Sequence, residues 1–249
     1  MKIIIKKDYD ELSREAARIV KEAVQTKPDT VLGLATGSTP IGCYRELIKM
    51  HEEEGLDFSQ VTSFNLDEYQ GLPADHPQSY NYFMYENLFS RVNINPKNIF
   101  IPDGMTENVE KFSKEYEEKI KEAGGIDLQI LGIGSDGHIG FNEPGTPLDS
   151  RTQLVKLAES TIEDNSRFFE KKEDVPRFAI TMGPQTIFEA KKILLLASGE
   201  NKAEAVAKLI EGPITPQITA SVLQKHPNTI VILDEKAASK LKKHGRNSF

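Results

Sequence analysis

Short apolar runs alternate with segments of helical periodicity along most of this chain. We predict six strands, over residues 2–5, 31–35, 61–66, 127–133, 192–197 and 229–233. Strands that are apolar almost throughout are typical of a parallel sheet that is covered on both faces. The βαβα order therefore predicts an α/β fold with an open, mostly parallel twisted sheet, helices on both faces and one domain over residues 1–249.

The segments between the predicted strands carry apolar residues at helical spacing. In the first of them, residues 8–25, Asp8 and Glu11 are placed as an acidic variant of a capping box. Further helices are predicted over residues 40–54, 79–89, 107–123, 201–211 and 235–243. In Rossmann-like sheets, ligands bind outside the carboxyl ends of the strands. The candidate binding loops are therefore those that follow Ala35, Leu66, Ile133 and Ala197.

The composition argues against nucleic-acid and membrane partners. The chain has a formal net charge of −7, and its Lys and Arg residues are dispersed among acidic ones. Nucleic-acid binding is disfavoured because it depends on clustered positive charge. With no apolar run of membrane-spanning length and no secretory signal, we expect a cytoplasmic protein without a membrane partner. Cys43 is the only cysteine, which excludes an internal disulfide, and we expect it to be a small buried group in a helix.

Residues 131–145, LGIGSDGHIGFNEPG, contain the dinucleotide-binding pattern G-x-G-x-x-G at the end of an apolar run. That fingerprint requires a helix directly after the glycines. Here the residues that follow include two more glycines and a proline, which oppose a helix. The loop also carries Asp136, His138 and Glu143, and a phosphate cradle does not need three titratable side chains. A nucleotide site is therefore disfavoured, and the rest of the chain must indicate what the loop does.

Two more carboxylates, Asp67 and Glu68, come directly after the predicted strand that ends at Leu66. Burying an unpaired charge is costly, so we expect one to cap the next element and the other to face the crevice; the alternative is a capping or surface pair. Asp67 and the titratable residues of the 131–145 loop have the acid/base capacity for proton transfer on a polyol phosphate. The alternative is that Asp67 and the titratable residues of the 131–145 loop bind a metal ion. A lone histidine disfavours zinc and leaves weak magnesium binding as the alternative, and we predict no metal.

The residues after Ala35, Thr-Gly-Ser-Thr-Pro, have the composition of an anion site at a helix N-terminus. Glycine allows close approach of the backbone, hydroxyls donate hydrogen bonds, and Pro40 suits the first helical position. The alternative is that Thr39 acts only as a helix cap. No Gly-Lys-Ser/Thr ending is present, which favours a phosphomonoester over a nucleoside triphosphate. Lys202 follows another strand and is expected at the same edge, although a lone lysine is more often solvated.

Three motifs together resemble those of the glucosamine-6-phosphate deaminase family: LDEY at residues 66–69, GIGSDGHIGFNEP at 132–144 and NSRFF at 165–169. The resemblance extends over residues 31–234. Ser38 stands where a glycine is usual and Gly140 where alanine is common, and we expect these small replacements to preserve the loops. The resemblance implies conversion of glucosamine 6-phosphate and water to fructose 6-phosphate and ammonia in amino-sugar catabolism, without a cofactor.

The resemblance also implies roles for individual residues. His138 opens the pyranose ring, and Asp136 and Glu143 orient it and tune its charge. Asp67 takes the proton from C2 of the open aldehyde and returns it to C1. The substrate phosphate is held by a set of small residues and two cations, namely Gly37, Ser38, Thr39, Arg167 and Lys202.

Two other functions are compatible with this fold class. The loop of a 6-phosphogluconolactonase-like hydrolase is similar, but it usually continues toward Ser-Leu-Phe-Pro, whereas this chain continues Phe-Asn-Glu-Pro and retains Glu143. A non-catalytic sugar-phosphate sensor carries an added DNA-binding domain, for which we expect no room here, and it needs no catalytic carboxylates. The deaminase interpretation is therefore preferred.

Some family members are hexamers that N-acetylglucosamine 6-phosphate activates through an arginine and a lysine after the FNEP sequence. Gln153 and Val155 occupy the corresponding positions of this chain. The resemblance is thus to the compact bacterial branch and implies a non-allosteric enzyme, with a monomer favoured and a homo-oligomer as the alternative. The polar segment 159–177 is compatible with a lid over the site or with a solvated surface helix, and its composition slightly favours the second.

Overall fold

The computed structural model describes residues 1–166 and 169–242. Within these residues the strands, in chain order, are β1 (Lys2–Lys6), β2 (Val31–Leu34), β3 (Thr62–Asn65), β4 (Asp67–Tyr69), β5 (Ile99–Phe100), β6 (Leu128–Leu131), β7 (Gln153–Lys156), β8 (Phe178–Thr181), β9 (Ile193–Ala197) and β10 (Thr229–Asp234). The α-helices are α1 (Tyr9–Thr26), α2 (Ser38–Glu54), α3 (Tyr80–Asn87), α4 (Val109–Glu122), α5 (Glu159–Ser166), α6 (Pro184–Phe188) and α7 (Ala203–Glu211).

A seven-stranded sheet has the order β1-β10-β9-β6-β2-β3-β5. Every neighbouring pair in it is parallel. Successive strand side chains point to opposite faces, so Leu194 packs in the core beneath α1, α2 and α3, while Leu195 packs in the core beneath α4, α6 and α7. The predicted α/β fold, with a mostly parallel sheet and helices on both faces, is confirmed.

A second sheet was not predicted from the sequence. It contains three antiparallel strands in the order β4-β8-β7. β4 and β7 have three and four residues, which is too short for alternation of apolar and polar residues to be recognised. β4 begins two residues after β3 ends and pairs with β8 in this small sheet. Asp67, the first residue of β4, therefore leaves the parallel sheet and lies toward the functional site.

Five of the six predicted helices are present, with ends that differ by a few residues from those expected. Asp8 caps α1 as predicted, and its carboxylate accepts the N–H of Glu11 at 2.9 Å. The sixth prediction, a helix over residues 235–243, is wrong in its described part, because residues 235–240 form turns. There the Asp234 carboxylate accepts the N–H of Ala237 at 2.7 Å, as a helix cap does, but the N–H groups of Ser239 and Leu241 then donate to carbonyls three residues back, so the chain forms turns. Residue 243 lies outside the described residues.

Cys43 is fully buried in α2, as predicted for a small core residue. Burial, with a smaller contribution from the charge of Glu46, raises the pKa of its thiol to about 12. Such a thiol is protonated at neutral pH and is a poor nucleophile. Among the described helices, none combines the length and the apolar character needed to span a bilayer.

Candidate active site

The loops that follow β2, β3, β6 and β9 surround a cavity of about 340 Å³. These are the loops that the sequence predicted, because the carboxyl ends of parallel strands share one edge of a sheet. The predicted site residues that line the cavity are Gly37, Ser38, Thr39, Asp67, His138 and Lys202. Asp136 and Glu143 contact His138. Arg167 lies outside the described residues.

Asp67 and Glu68 are neighbours in β4 but have different surroundings. The Glu68 carboxylate accepts three backbone N–H groups at 2.9 Å, from Tyr69 and Tyr80 on Oε1 and from Asn81 on Oε2. Glu68 therefore binds the first turn of α3, while Asp67 lines the cavity. This confirms that one carboxylate caps the next element and the other faces the crevice.

The environment of β4 raises the pKa of both Asp67 and Glu68. Burial, reinforced by the charge of Glu68, raises the pKa of Asp67 to about 8. Burial also raises the pKa of Glu68, to about 7, although its three backbone donors oppose that shift. A carboxylate with a raised pKa is a stronger base than an ordinary one, so Asp67 is suited to take a proton from carbon.

The imidazole of His138 packs directly on the backbone of Gly134. A Cβ atom at position 134 would lie only 2.4 Å from the ring atoms Cε1 and Nδ1, so a side chain there would displace the ring. Gly137 has a φ of +95°, a conformation that glycine adopts readily and that turns the chain between Asp136 and His138. Residues 132–152 contain no helix, so the nucleotide interpretation lacks the helix that it requires.

Two carboxylates flank the same nitrogen of His138. Nδ1 lies 2.7 Å from Oδ1 of Asp136 and 3.9 Å from Oε2 of Glu143. Burial alone would raise the pKa of Asp136, but its interactions with His138 outweigh burial and hold that pKa below its ordinary value. The opposite oxygen of Glu143, Oε1, accepts the hydroxyl of Thr161 at 2.6 Å and the N–H of Ala158 at 3.2 Å. Glu143 is thereby oriented with Oε2 toward the imidazole.

The acidic residues around His138 also have the composition of a cation site. One ligand atom from each of Asp136, His138 and Glu143 can be chosen so that all lie within 4.8 Å of one another. Oxygen and imidazole ligands suit divalent ions such as Mg²⁺ or Zn²⁺. The magnesium alternative named from the sequence therefore remains compatible with the geometry.

The predicted anion loop leads directly into α2, but Pro40 is not at the predicted first helical position, and the alternative in which Thr39 is the helix cap is wrong. The helix begins at Ser38 with Gly37 as its cap, so Thr39 is not the cap and Pro40 is the third helical residue. Gly37 has a φ of +93°, which turns the chain before the helix without side-chain capping. Proline is tolerated at this position because the N–H groups of the first turn have no partner within a helix.

Tyr9 of α1 holds the start of α2 from outside the cavity. Its hydroxyl lies 2.9 Å from the carbonyl oxygen of Ser38 and 3.0 Å from that of Thr39, and it accepts the N–H of Gly42 at 2.8 Å. The first turn of α2 is thus fixed by a side chain from the neighbouring helix. On the cavity side, Lys202 lies at the end of a single 3-10 turn after β9.

An aromatic wall of the cavity was missed by sequence reasoning. The Tyr80 ring stacks on Phe141, with centroids 5.8 Å apart and planes 7° apart. Tyr69 contacts both rings, at centroid distances of 4.9 and 5.5 Å. The three residues come from α3, the loop after β6 and β4, so no spacing along the chain connects them.

The described part of segment 159–177 packs against this wall. Ile162 of α5 is buried, and Thr161 donates to Glu143. The Asn165 amide donates to the hydroxyl of Tyr69 at 2.8 Å, and the Phe169 ring meets Tyr69 edge-on at 6.0 Å. The face of α5 that carries Thr161, Ile162 and Asn165 therefore packs at the site, so the expectation of a solvated surface helix is wrong for this face.

The family described as glucosamine-6-phosphate isomerases/6-phosphogluconolactonase has a sequence profile that matches residues 7–232. This chain belongs to that family. Its curated relatives include the glucosamine-6-phosphate deaminase of Thermoanaerobacter pseudethanolicus, 55% identical over 239 residues, which are 96% of this chain and 94% of the relative. The deaminase of Clostridium botulinum strain Langeland is 57% identical over 242 residues, 97% of this chain and 99% of the relative. The resemblance inferred from the three motifs is confirmed.

Solved structures of the glucosamine-6-phosphate isomerase/6-phosphogluconolactonase family share the whole fold. One described as a monomeric glucosamine-6-phosphate deaminase has a TM-score of 0.95 and 48% identity, and it covers 96% of this chain and 100% of that one. A 6-phosphogluconolactonase from Trypanosoma cruzi has a TM-score of 0.77 at 23% identity, over 97% of each chain. The second likeness concerns the fold alone.

Proposed function

We propose that this chain is a glucosamine-6-phosphate deaminase, which converts glucosamine 6-phosphate and water to fructose 6-phosphate and ammonia. The observation that carries the proposal is the shared cavity of Asp67, a buried carboxyl with a raised pKa, and His138, an imidazole flanked by two carboxylates. Deaminases that are 55% and 57% identical to this chain over nearly its whole length support the choice of substrate.

The first chemical step is opening of the pyranose ring, which moves a proton from the anomeric hydroxyl to the ring oxygen. His138 lines the cavity and can relay this proton. Asp136 and Glu143, both on its Nδ1 side, hold the ring in one orientation and compensate the charge of the imidazolium that forms transiently. The product of this step is the open-chain amino aldehyde.

Asp67 then transfers a proton between neighbouring carbons. The aldehyde acidifies the proton on C2, and the Asp67 carboxylate removes it to form an enolamine. The aldehyde oxygen takes up a second proton as the enolamine forms, and return of the first proton to C1, with loss of a proton from the nitrogen, produces a ketimine at C2. Water adds to the ketimine carbon and the C–N bond breaks, so ammonia leaves and the ketone of fructose 6-phosphate remains. The overall change is isomerisation with hydrolytic deamination.

The substrate phosphate is bound at the start of α2 by Gly37, Ser38 and Thr39. The N–H groups of a first helical turn have no partner within the helix, and the helix dipole favours an anion there. Lys202 supplies a positive charge from the loop after β9, and in the same proposal Arg167 supplies a planar pair of donors. This arrangement binds the phosphate at one end of the cavity and leaves the sugar carbons for Asp67 and His138.

We also propose that the enzyme acts in the cytoplasm as a monomer. A relative at 48% identity whose structure is solved is described as monomeric. At the positions where hexameric relatives are expected to bind the activator, β7 has Gln153 and Val155, neither of which carries the positive charge that a second sugar phosphate needs.

The decisive test is product formation by the wild type and by Asp67→Asn, with no added cofactor. We expect the wild type to release fructose 6-phosphate and ammonia in equal amounts. Asp67→Asn removes the base with little change of shape, so kcat is expected to fall by about 10²-fold or more while KM changes little. Near-normal turnover by the variant would reassign the base, and absence of both products from the wild type would reject the function.

A further inference from the structure

Asp234, the last residue of β10, is a buried carboxylate that has no part in the proposed chemistry. Its Oδ2 accepts the hydroxyl of Ser198 at 2.6 Å, and both of its oxygens lie within 3.1 Å of the Gly199 nitrogen. Its Oδ1 also accepts the N–H of Ala237 at 2.7 Å. One side chain thus joins the loop after β9 to the turn after β10.

The Ser198–Gly199 turn leads directly to the lysine of the cavity. Gly199 has a φ of +94° and caps the 3-10 turn of residues 200–202. The N–H of Lys202 donates to the carbonyl of Gly199 at 3.1 Å. The backbone position of Lys202 is therefore set by a turn that Asp234 holds from the adjacent strand.

We propose that Asp234 is a positioning residue for substrate phosphate: by fixing the Ser198–Gly199 turn it holds Lys202 at the phosphate end of the cavity. The inference rests on the proposed function, in which Lys202 binds the phosphate. Asp234 does not contact the phosphate itself, because its oxygens are already used by donors from the protein.

The chemistry of the contacts explains why a carboxylate is needed at this position. The hydroxyl and the backbone N–H groups that surround Asp234 all donate, and an ionised carboxylate is acceptor-only on both oxygens. Asparagine has nearly the same shape but would present an NH₂ group to one of these donors. Asp234→Asn should therefore loosen the Ser198–Gly199 turn without creating a cavity.

The test measures steady-state kinetics with glucosamine 6-phosphate and calorimetric binding of inorganic phosphate. For Asp234→Asn we expect KM and the Kd of phosphate to rise together by about tenfold, with kcat within about threefold of the wild type. Asp67 lies in β4 and His138 lies in the loop after β6, so the groups that transfer protons stay in place. Ser198→Ala removes a single donor from Asp234 and should change both constants in the same direction by a smaller factor, which keeps the test available if Asp234→Asn folds poorly.

A matched control exists at the amino ends of the strands of the same sheet. Asp127, directly before β6, is also a largely buried carboxylate, and it accepts the N–H of Val31 at 2.8 Å and the ammonium groups of Lys27 and Lys191 at 2.9 and 2.7 Å. We expect Asp127→Asn to lower the melting temperature and leave KM unchanged. If Asp234→Asn behaves in the same way, its role is only structural and the proposal is overturned.

A double-mutant cycle shows whether Asp234 acts through Lys202. In a Lys202→Ala background, Asp234→Asn should change KM and phosphate affinity by less than about twofold, because the group that it positions is already absent. Full additivity would overturn the proposal. If Lys202→Ala leaves the phosphate affinity unchanged, Lys202 does not bind the phosphate, and both that assignment and this inference are rejected. A wild type without turnover would reject the deaminase function, while phosphate calorimetry would still report on Asp234.

Discussion

The contrast between Asp67 and Glu68 shows how surroundings assign different roles to the same functional group. Both are buried in β4, but the two backbone donors from the first turn of α3 bind Glu68. Its charge adds to the effect of burial on its neighbour, so the pKa of Asp67 rises to about 8. The residue that binds α3 thus also makes the cavity carboxylate more basic.

Burial of Asp67 also has a consequence for folding. Its pKa rises from 3.8 to about 8 in the folded protein, so the folded state binds a proton more tightly than the unfolded chain. The associated stability is fully present below about pH 4 and is lost as the pH rises to about 8. Asparagine does not ionise, so Asp67→Asn should melt at a higher temperature than the wild type at pH 8.5, by about 2–4 °C for each kcal/mol gained.

Thermal unfolding of both proteins between pH 4.5 and 9, at constant ionic strength, measures this effect. The difference in melting temperature should grow with pH and level off above about pH 8. Glu68 is present in both proteins, so its own titration cancels to first order. A difference that does not depend on pH would contradict the raised pKa of Asp67.

At the scale of elements, the loop after β6 shows what its glycines do. The G-x-G spacing resembles a nucleotide fingerprint, but Gly134 is needed because the His138 ring occupies the space of its missing side chain. Gly137 supplies a turn with positive φ. The glycines therefore place the Nδ1 side of an imidazole against two carboxylates, and the resemblance to a dinucleotide site does not extend beyond their spacing.

We predict that Gly134→Ala displaces His138 and lowers kcat by about 10²-fold, the usual contribution of a positioned acid/base group. Gly132→Ala is the matched control from the same loop, because a Cβ atom there has nothing within 4 Å. The control should lose less than about tenfold. Product assays, with circular dichroism to check folding, measure both variants, and equal losses in the two would show that the contact with the imidazole is not the cause.

At the scale of the whole molecule, the absence of positive charge at Gln153 and Val155 predicts kinetics without allosteric control. We expect a hyperbolic dependence of rate on glucosamine 6-phosphate that N-acetylglucosamine 6-phosphate does not activate. Sedimentation should give a single species near 27.9 kDa. A sigmoidal curve that the acetylated sugar phosphate makes hyperbolic would contradict this prediction.

Local patterns in the sequence were sufficient to predict six of the seven strands of the parallel sheet, most of the described helices and the edge at which ligands bind. Apolar strands and helical periodicity are local properties, and parallel strands bring their carboxyl ends together whatever the details of packing. The motifs at residues 66–69, 132–144 and 165–169 then indicated the family, and the profile match confirms it. The short antiparallel sheet, the two-residue strand β5 and the turns at residues 235–240 were not predicted, because very short strands and turns that begin as a capped helix does leave weak local signals.

Only the tertiary structure decided which role each side chain has at the site. Which of Asp67 and Glu68 faces the cavity depends on where α3 begins. The bond from Asn165 to Tyr69 and the bond from Ser198 to Asp234 join residues that are 96 and 36 positions apart. No pattern along the chain encodes such pairs, because each depends on the distance between folded elements. The sequence by itself therefore determined the fold class, the family and the binding edge, while packing determined the orientation and acidity of each group.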